Sequence, residues 1–397
     1  MERVYLDWAA TTAVNIEILK KALEQSIIYS ENPSSPHDDG KKARAFIESC
    51  RESLASLFGT TKDRLIFTSG ATESNNIVIN SLIPKQLQKH SFSNPGNIVI
   101  SAIEHASVYE PVKALEKYGW EIREVLPEAN GIISAESFVE KIDKNTRLAA
   151  IIMINNETGA IQPVYEIGRL LSEKNFRKRV HYHIDAVQAA GKYPLNLDNT
   201  KADSASISSH KFQGPRGAGI LYLNKEISPI YSGGGQERNL RSGTENTFAI
   251  AGTLLAAEKA LQNTDENLKK AIKYKKLLLE TINNIPNAFL NPLCKTSDYL
   301  NPEKYSPYII SVGIKPVPGE VLVRVLSSNG FDVSTGSACS AGKKGKSRVL
   351  NAFGIDNESA FSTIRISTGC GTEVEEISQF CDTLIRETTI LVNSLSK

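Results

Sequence analysis

Between residues 65 and 223 short apolar runs alternate with stretches of helical spacing, and no other feature of the chain limits its fold as strongly. The runs are Leu65–Thr68, Ile98–Ser101, Ile122–Val125, Leu148–Ile154, Tyr182–Asp185, Ser204–Ser208 and Gly219–Leu223. Strands that take turns with helices predict an α/β fold with a mainly parallel sheet covered on both faces. In such sheets ligands sit beyond the carboxyl ends of the strands, so the loops that follow strands are where chemistry is sought.

On either side of this block the pattern is helical. Ile16, Leu19, Leu23 and Ile27 predict a helix over 14–29. Ala43, Phe46, Ile47, Cys50, Leu54 and Leu57 predict a second one, after Asp38 and Asp39 and ended by Gly59. Cys50 falls in that apolar stripe and reads as a packed thiol. One long helical stretch, Phe248 to Asn283, leads into a polar, proline-bearing patch (Asn291–Pro307), a strand Tyr308–Gly313 and a helix Gly319–Asn329. The expected organisation is a large domain over 14–255 and a smaller α+β domain over 256–397, joined by the N-terminal segment 1–13.

Charge and cysteine usage narrow the class. There are 46 Lys+Arg against 44 Asp+Glu, a net +2, so nothing in the balance argues for a nucleic-acid or membrane surface. The five cysteines (Cys50, Cys294, Cys339, Cys370 and Cys381) are odd in number and contain no C-x-x-C pair, which fits reduced thiols better than a disulfide framework. Cys294, Cys370 and Cys381 read as packing residues. Glu2, Arg3 and Asp7 stand where a secretory signal needs apolar residues, and no apolar run approaches the ~18 residues of a membrane span. A soluble, cytoplasmic protein is expected.

Four segments can carry chemistry. In HYHIDAVQ, period two places His181, His183 and Asp185 on one face of a strand. Two imidazoles and a carboxylate can hold a metal; alternatively Asp185 alone faces a cofactor at the strand end, with the histidines packed or solvated. In SSHKFQGPRGAG, Lys211 lies just past a strand and before a Gly/Pro-rich turn, a place suited to a Schiff base with a carbonyl cofactor. A lysine of this kind and a strand-end carboxylate are the two groups pyridoxal phosphate requires. FTSGATESNN runs from a strand through Ser69 and Gly70 into a helix starting at Ala71, Thr72 and Glu73, either an anion site or an ordinary helix cap. In STGSACSAGKKGKSRVL, Cys339 sits among small residues, and nearby lysines favour its thiolate. The near-match to a phosphate-binding loop at Ser340–Ser347 lacks its first glycine and a strand leading into it, so the nucleotide reading is rejected. Lys343, Lys344, Lys346 and Arg348 read as a solvated basic face.

YLDWAATT, ENPSSPH, FTSGATESNN, IEHASVYEP, NNETGAIQP, HYHIDAVQAAGKYP, SISSHKFQGPRGAG, SGGGQERNLRSGTEN, STGSACSAG and IRISTG follow one another as they do in cysteine desulfurases. From about residue 4 to 371 the chain resembles this family of pyridoxal-phosphate enzymes, and its S-x-G-S-A-C loop resembles the long-loop branch that serves iron–sulfur assembly and thiolation. The resemblance implies the aspartate aminotransferase-like fold (fold type I) of the pyridoxal-phosphate-dependent transferases and a homodimer. It implies L-cysteine as substrate, L-alanine as product, and a persulfide on Cys339 passed to an iron–sulfur scaffold or a tRNA-thiolating enzyme, without direct binding of nucleic acid or membrane.

The same resemblance assigns roles. Lys211 would hold the cofactor and act as base and acid at the substrate Cα; Asp185 would pair with the pyridine nitrogen; His105 would stack on the ring and help move protons. Gln188 would donate to the phenolic oxygen. Ala71, Thr72, Ser208 and His210 would hold the phosphate, with Thr244 reaching over from the second subunit. Asn156 would touch cofactor and substrate, while Arg365, with Asn32, would clamp the substrate carboxylate. Trp8 and Glu31 depart from the family's usual residues, near the expected site entrance or dimer contact. A selenocysteine lyase or aminotransferase of the same fold is the nearest alternative; a metal-dependent hydrolase built on His181, His183 and Asp185, or a non-catalytic assembly scaffold, would be of a different class.

Overall fold

The computed structural model describes residues 3–83, 95–176, 180–336 and 347–395. Its strands are β1 (Val4–Tyr5), β2 (Leu65–Thr68), β3 (Asn97–Ser101), β4 (Glu121–Val125), β5 (Thr146–Ile152), β6 (His181–Asp185), β7 (Ser204–Ser208), β8 (Gly219–Leu223), β9 (Ala288–Leu290), β10 (Ile309–Ile314), β11 (Phe331–Asp332) and β12 (Thr363–Ser367). Seven form one sheet in the order β2-β8-β7-β6-β5-β3-β4. All its pairings are parallel except those of β8, which runs against both β2 and β7. β2 therefore points the same way as β7, and the carboxyl ends of β2, β3, β5, β6 and β7 share one edge.

Each central strand is buried on both faces, which is why these segments read as apolar runs. Along β5 and β6 the side chains alternate between two cores. Ala149, Ile151, Tyr182 and Ile184 join the core that holds Cys50, Leu54 and Phe138. Leu148 and Ala150 join the core of Ile77, Val78 and Val108 on the opposite face. His181, His183 and Asp185 alternate with Tyr182 and Ile184, so they face the layer that contains the helix Ala71–Asn80.

A second unit packs around its own core of Tyr274, Leu278, Val312, Leu322, Ile364 and Phe380. There β12, β10 and β9 form an antiparallel sheet, and β1 pairs in parallel with β11, which ties the first residues of the chain to its last third. Gly330 between the helix Gly319–Ser328 and β11 has φ +91°, a turn that glycine makes without a Cβ clash.

Three sequence expectations need correction. The stretch Phe248–Asn283 is two helices, Thr247–Gln262 and Thr264–Asn283, broken at Asn263, whose side chain donates to the Lys259 carbonyl at 3.0 Å and competes with the helical backbone. The polar patch 291–307 contains a short helix, Thr296–Tyr299, and buries Tyr299 and Tyr305, whose rings stack at 4.6 Å. Arg348 is not a solvated charge: its guanidinium donates to the Ala102 and Glu104 carbonyls and lies 3.8 Å over the Tyr109 ring. Lys343, Lys344 and Lys346 lie outside the described residues. No helix among the described residues is long and apolar enough to cross a membrane.

Candidate active site

The candidate residues gather at the shared carboxyl edge of the large sheet. β6 ends in Asp185, and β7 ends in Ser208, directly before a single turn that carries His210 and Lys211. The loop after β3 presents His105, and the loop after β5 presents Asn156. β2 leads through Ser69 and Gly70 into the helix Ala71–Asn80.

Lys211 is half-buried, and its Nζ donates to the carbonyls of Ala9 and Ala10 at 2.6 and 2.7 Å. The N-terminal segment reaches it because Thr12 bonds the His210 carbonyl through both N–H (3.0 Å) and Oγ1 (2.8 Å). Asp185 is 3 % exposed; its Oδ1 accepts the Val187 N–H at 3.1 Å and its Oδ2 lies 3.5 Å from Asn75 Nδ2. Burial pushes this carboxyl up, and the charges of His105 and Lys211 oppose that rise. His105 caps the helix Ala106–Ala114: its Nδ1 accepts the Ser107 N–H at 3.1 Å, and burial lowers its proton affinity.

The turn before Ala71 has the makings of an anion cradle. Gly70 caps the helix with φ +150° and no side-chain cap, so the first N–H groups are not taken by a capping oxygen. A Cβ on Gly70 would lie 3.8 Å from Ser208 Oγ, and one on Gly219 would come within 2.5 Å of Gly70 Cα, so two bare backbones and a hydroxyl meet here. His210 Nδ1 sits 3.0 Å from Thr11 Oγ1, and burial beside Lys211 and Arg216 holds its pKa at about 4. Thr72 is exposed at the start of the helix.

A second cluster surrounds Arg365, which is 2 % exposed on β12. One terminal nitrogen donates to the Asn156 carbonyl at 2.9 Å and lies 3.5 Å from the Gly336 carbonyl; the other pairs with Asp7 at 2.6 Å. Its Nε is buried and has no hydrogen-bond partner among the described residues. Across the gap in the described chain, Ser347 Oγ bonds Glu157 Oε2 at 3.1 Å. The two residues flanking segment 337–346 are thus tied to Arg365 and to Glu157, which lies one residue from Asn156. Cys339 lies within that segment, outside the described residues.

Other expected residues are placed less centrally. Gln188 is buried, donating to the Ala9 carbonyl at 2.9 Å and accepting from Lys192 Nζ at 2.8 Å. Asn32 is exposed in a turn where its Oδ1 accepts the Ser34 N–H, and Thr244 is exposed between residues 240 and 247. Trp8 is buried, with its indole against Gly369 and Gly371, while Glu31 is exposed. A cleft of about 360 Å³ opens beside Lys211 and is lined by Trp8, Lys192, Gln213 and Cys370. Cys370 is therefore not a packed thiol, whereas Cys50 and Cys381 are buried; burial pushes the Cys50 thiol up to about 11.

The metal reading fails on geometry. His183 has both ring nitrogens engaged, with Ser204 Oγ at 2.8 Å and Asn75 Oδ1 at 2.9 Å, and His181 Nε2 meets the same Ser204 at 2.7 Å. Residues that the sequence did not single out are as prominent as those it did. Asp7 lies inside YLDWAATT, Asn75 inside FTSGATESNN and Glu104 inside IEHASVYEP, each hidden in a motif that was noted for another member. Glu104 is fully buried, accepts the Ile152 N–H at 2.7 Å, and is pushed up to about 8 by burial.

Known proteins resemble this chain along nearly its whole length. The class-V aminotransferase family matches residues 4–380. The cysteine desulfurase IscS of Dictyoglomus turgidum is 36% identical over 392 residues, covering 96% of this chain and 94% of that one. A solved NifS-like protein superposes with a TM-score of 0.86 at 33% identity, over 98% of this chain and 100% of its own. A structure described as SspA in complex with cysteine superposes with a TM-score of 0.76 at 31% identity, over 92% and 98%. The chain belongs to the class-V aminotransferase family, among its pyridoxal-phosphate-dependent cysteine desulfurases.

Proposed function

We propose that this site takes sulfur from L-cysteine, releases L-alanine and loads the sulfur on Cys339 as a persulfide. The observation that carries the reading is the meeting, at one sheet edge, of Lys211, the buried Asp185 and an uncapped helix start beside Ser208. These residues fit pyridoxal phosphate: Lys211 to hold it, Asp185 for its ring nitrogen, and the Gly70–Thr72 turn with Ser208 and His210 for its phosphate. The cofactor, when bound, supplies an electron sink for the substrate Cα.

The chain's residues do the rest. Arg365 takes the substrate carboxylate through its Nε–H, which has no partner among the described residues; this selects an amino acid and sets the reach of its side chain. Asn156, whose carbonyl already braces Arg365, and Asn32 complete the substrate's surroundings. Lys211 removes the Cα proton and returns it. The Cys339 thiolate then attacks the substrate sulfur: the S–S bond forms as the Cβ–S bond breaks, the bonding pair goes to Cβ, and a proton there completes alanine. Gly336 and Ser347, the described residues on either side of Cys339 in sequence, are tied to Arg365 and Glu157, which supports Cys339 as the nucleophile.

In this reading the enzyme is a homodimer, with the exposed Thr244 serving the neighbouring subunit's phosphate site, and the persulfide passes to an iron–sulfur scaffold or a thiolating enzyme. The purified protein is expected to show a near-visible band that shifts with L-cysteine and is lost in Lys211→Ala. Cys339→Ser is expected to keep the band and lose alanine formation. Protein that stays colourless with added pyridoxal phosphate would overturn the reading, as would sulfide release by Cys339→Ser at the wild-type rate.

A further inference from the structure

A continuous line of hydrogen bonds runs between the large sheet and the helix Ala71–Asn80. His181 Nε2 and His183 Nδ1 lie 2.7 and 2.8 Å from Ser204 Oγ. His183 Nε2 lies 2.9 Å from Asn75 Oδ1. Asn75 Nδ2 lies 2.8 Å from Ser107 Oγ and 3.5 Å from Asp185 Oδ2. Ser107 Oγ is 2.8 Å from His105 Nδ1, which also receives the Ser107 backbone N–H at 3.1 Å.

The protons in this line are fixed from its His105 end. A backbone N–H can only donate, so His105 Nδ1 is an acceptor and the neutral ring carries its proton on Nε2. The Ser107 hydroxyl then donates to Nδ1 and has only lone pairs to offer Asn75, which must present its NH₂. The same NH₂ faces the Asp185 carboxylate, and a flipped amide would set oxygen against oxygen there. Asn75 Oδ1 is therefore the acceptor of a His183 Nε2–H. His183 Nδ1 accepts from Ser204, and Ser204 accepts from a His181 Nε2–H. Every proton points toward His105.

We propose that Asn75, His183, Ser204 and His181 are positioning residues that lock His105 in its Nε2–H form and hold an amide N–H on Asp185. The proton assignment rests on the chain's own geometry; its meaning for catalysis rests on the function proposed above. His105 enters the site as a neutral imidazole with Nδ1 closed, so any proton it exchanges moves at Nε2. The amide of Asn75 interrupts the line, which orients the ring without conducting protons to it. Burial holds His181 and His183 at a pKa of about 3, so each carries one ring proton across the neutral range.

The test is the tautomeric state of the histidines in the full-length protein as purified with its cofactor, read from multiple-bond ¹H–¹⁵N spectra after ¹⁵N-histidine labelling. The chain has six histidines, and His105→Asn and His183→Gln assign the two that matter. Nε2–H forms are expected at His105 and His183, with acceptor-type Nδ1 signals. Asn75→Leu is expected to lower the ratio of Nε2–H to Nδ1–H at His105 roughly fivefold, the worth of one ordinary hydrogen bond. An Nδ1–H form at either residue in the wild type overturns the proposal whether or not the variant folds, and so does an unchanged ratio in Asn75→Leu. If the tautomers are as stated in a protein that neither binds pyridoxal phosphate nor acts on cysteine, the functional reading fails and the proton assignment stands.

Discussion

Lys211 and Gln188 donate to the same acceptor: the Ala9 carbonyl receives the lysine Nζ at 2.6 Å and the Gln188 amide at 2.9 Å. The N-terminal segment thereby links the residue proposed to hold the cofactor to the one proposed to donate to its phenolic oxygen. Gln188 has its orientation set from its other side, because Lys192 donates to Oε1 at 2.8 Å and leaves the second Nε2 hydrogen for a ligand oxygen.

That arrangement makes Lys192 a trade between stability and function. It is buried, and burial, with Lys211 and Arg365 nearby, holds its pKa at about 7 against an ordinary 10.5. Stability tied to Lys192 is thus present above pH 10.5 and lost as pH falls toward 7, because the unfolded state binds the proton more readily. Lys192→Met is expected to raise the unfolding free energy near neutral pH by about 1 kcal/mol. It is also expected to weaken pyridoxal phosphate binding roughly fivefold as Gln188 loses its orientation, an ordinary hydrogen bond's worth. Denaturant titration of the cofactor-free protein and spectroscopic titration with the cofactor check both halves.

Arg365 is expected to act on substrate affinity more than on the cofactor. A hydrogen bond to a charged group contributes about 1.5–3 kcal/mol, so losing the Nε–H in Arg365→Lys should raise KM for L-cysteine roughly 10–100-fold. The absorption band of the bound cofactor should persist. Steady-state kinetics beside the spectrum decide it: an unchanged KM would remove Arg365 from the clamp.

The framework behind the phosphate turn gives a prediction about stability. Arg51 grips Glu237 through two bonds of 2.7 Å, and Glu237 Oε2 also accepts the Phe67 N–H at 2.7 Å, on the strand that leads to Gly70. Glu237, Arg238 and Asn239 all adopt left-handed φ (46°, 58° and 63°), a costly backbone path that this buried pair holds in place. Glu237→Ala leaves the buried Arg51 charge to the half-exposed Glu48, 3.1 Å away, and is expected to cost about 3 kcal/mol, read from the denaturation midpoint. A loss under about 1 kcal/mol would mean that the turn is held by something else.

The sequence showed the strands of the large sheet best, since each is a short apolar run between turn residues and its burial on both faces leaves no polar residues to interrupt it. β1, β9, β11 and β12 were not anticipated. Two residues of β1 and two of β11 carry no period, and β12 reads TIRIS, where the buried Arg365 breaks the apolar signal. The same limit applies to the site. Lys211 and Asp185 could be picked out because one lies just past a strand and the other at a strand end, but the Asp7–Arg365 pair joins residues 358 apart, and the line from His181 to His105 joins four segments of the chain. Such contacts come from the fold, and local pattern does not record them. His181 and His183 were read as possible ligands because spacing alone cannot show that Ser204 and Asn75 already use their nitrogens.

Those two imidazoles also shape the acid limb of stability. Each has an ordinary pKa of 6.5 and is held at about 3 by burial, and a charge on His181 further disfavours one on His183. Between these values the unfolded chain binds protons that the folded chain refuses. The stability they contribute is therefore complete above about pH 6.5 and is lost as pH falls toward 3. Glu104 acts in the opposite sense: with its carboxyl raised from 4.5 to about 8, its contribution is complete below pH 4.5 and is lost as pH rises toward 8. His183→Gln keeps an amide donor for Asn75 but cannot titrate, so the slope of unfolding free energy against pH between 6.5 and 4.5 should fall by about 1.4 kcal/mol per pH unit, the value of one proton. Glu104→Gln should change the slope over the same interval by a similar amount in the other direction, making the acid limb steeper. Urea denaturation of the wild type and both variants at several pH values measures this directly, and parallel curves for all three would mean that the buried groups take up protons as freely in the folded chain as in the unfolded one.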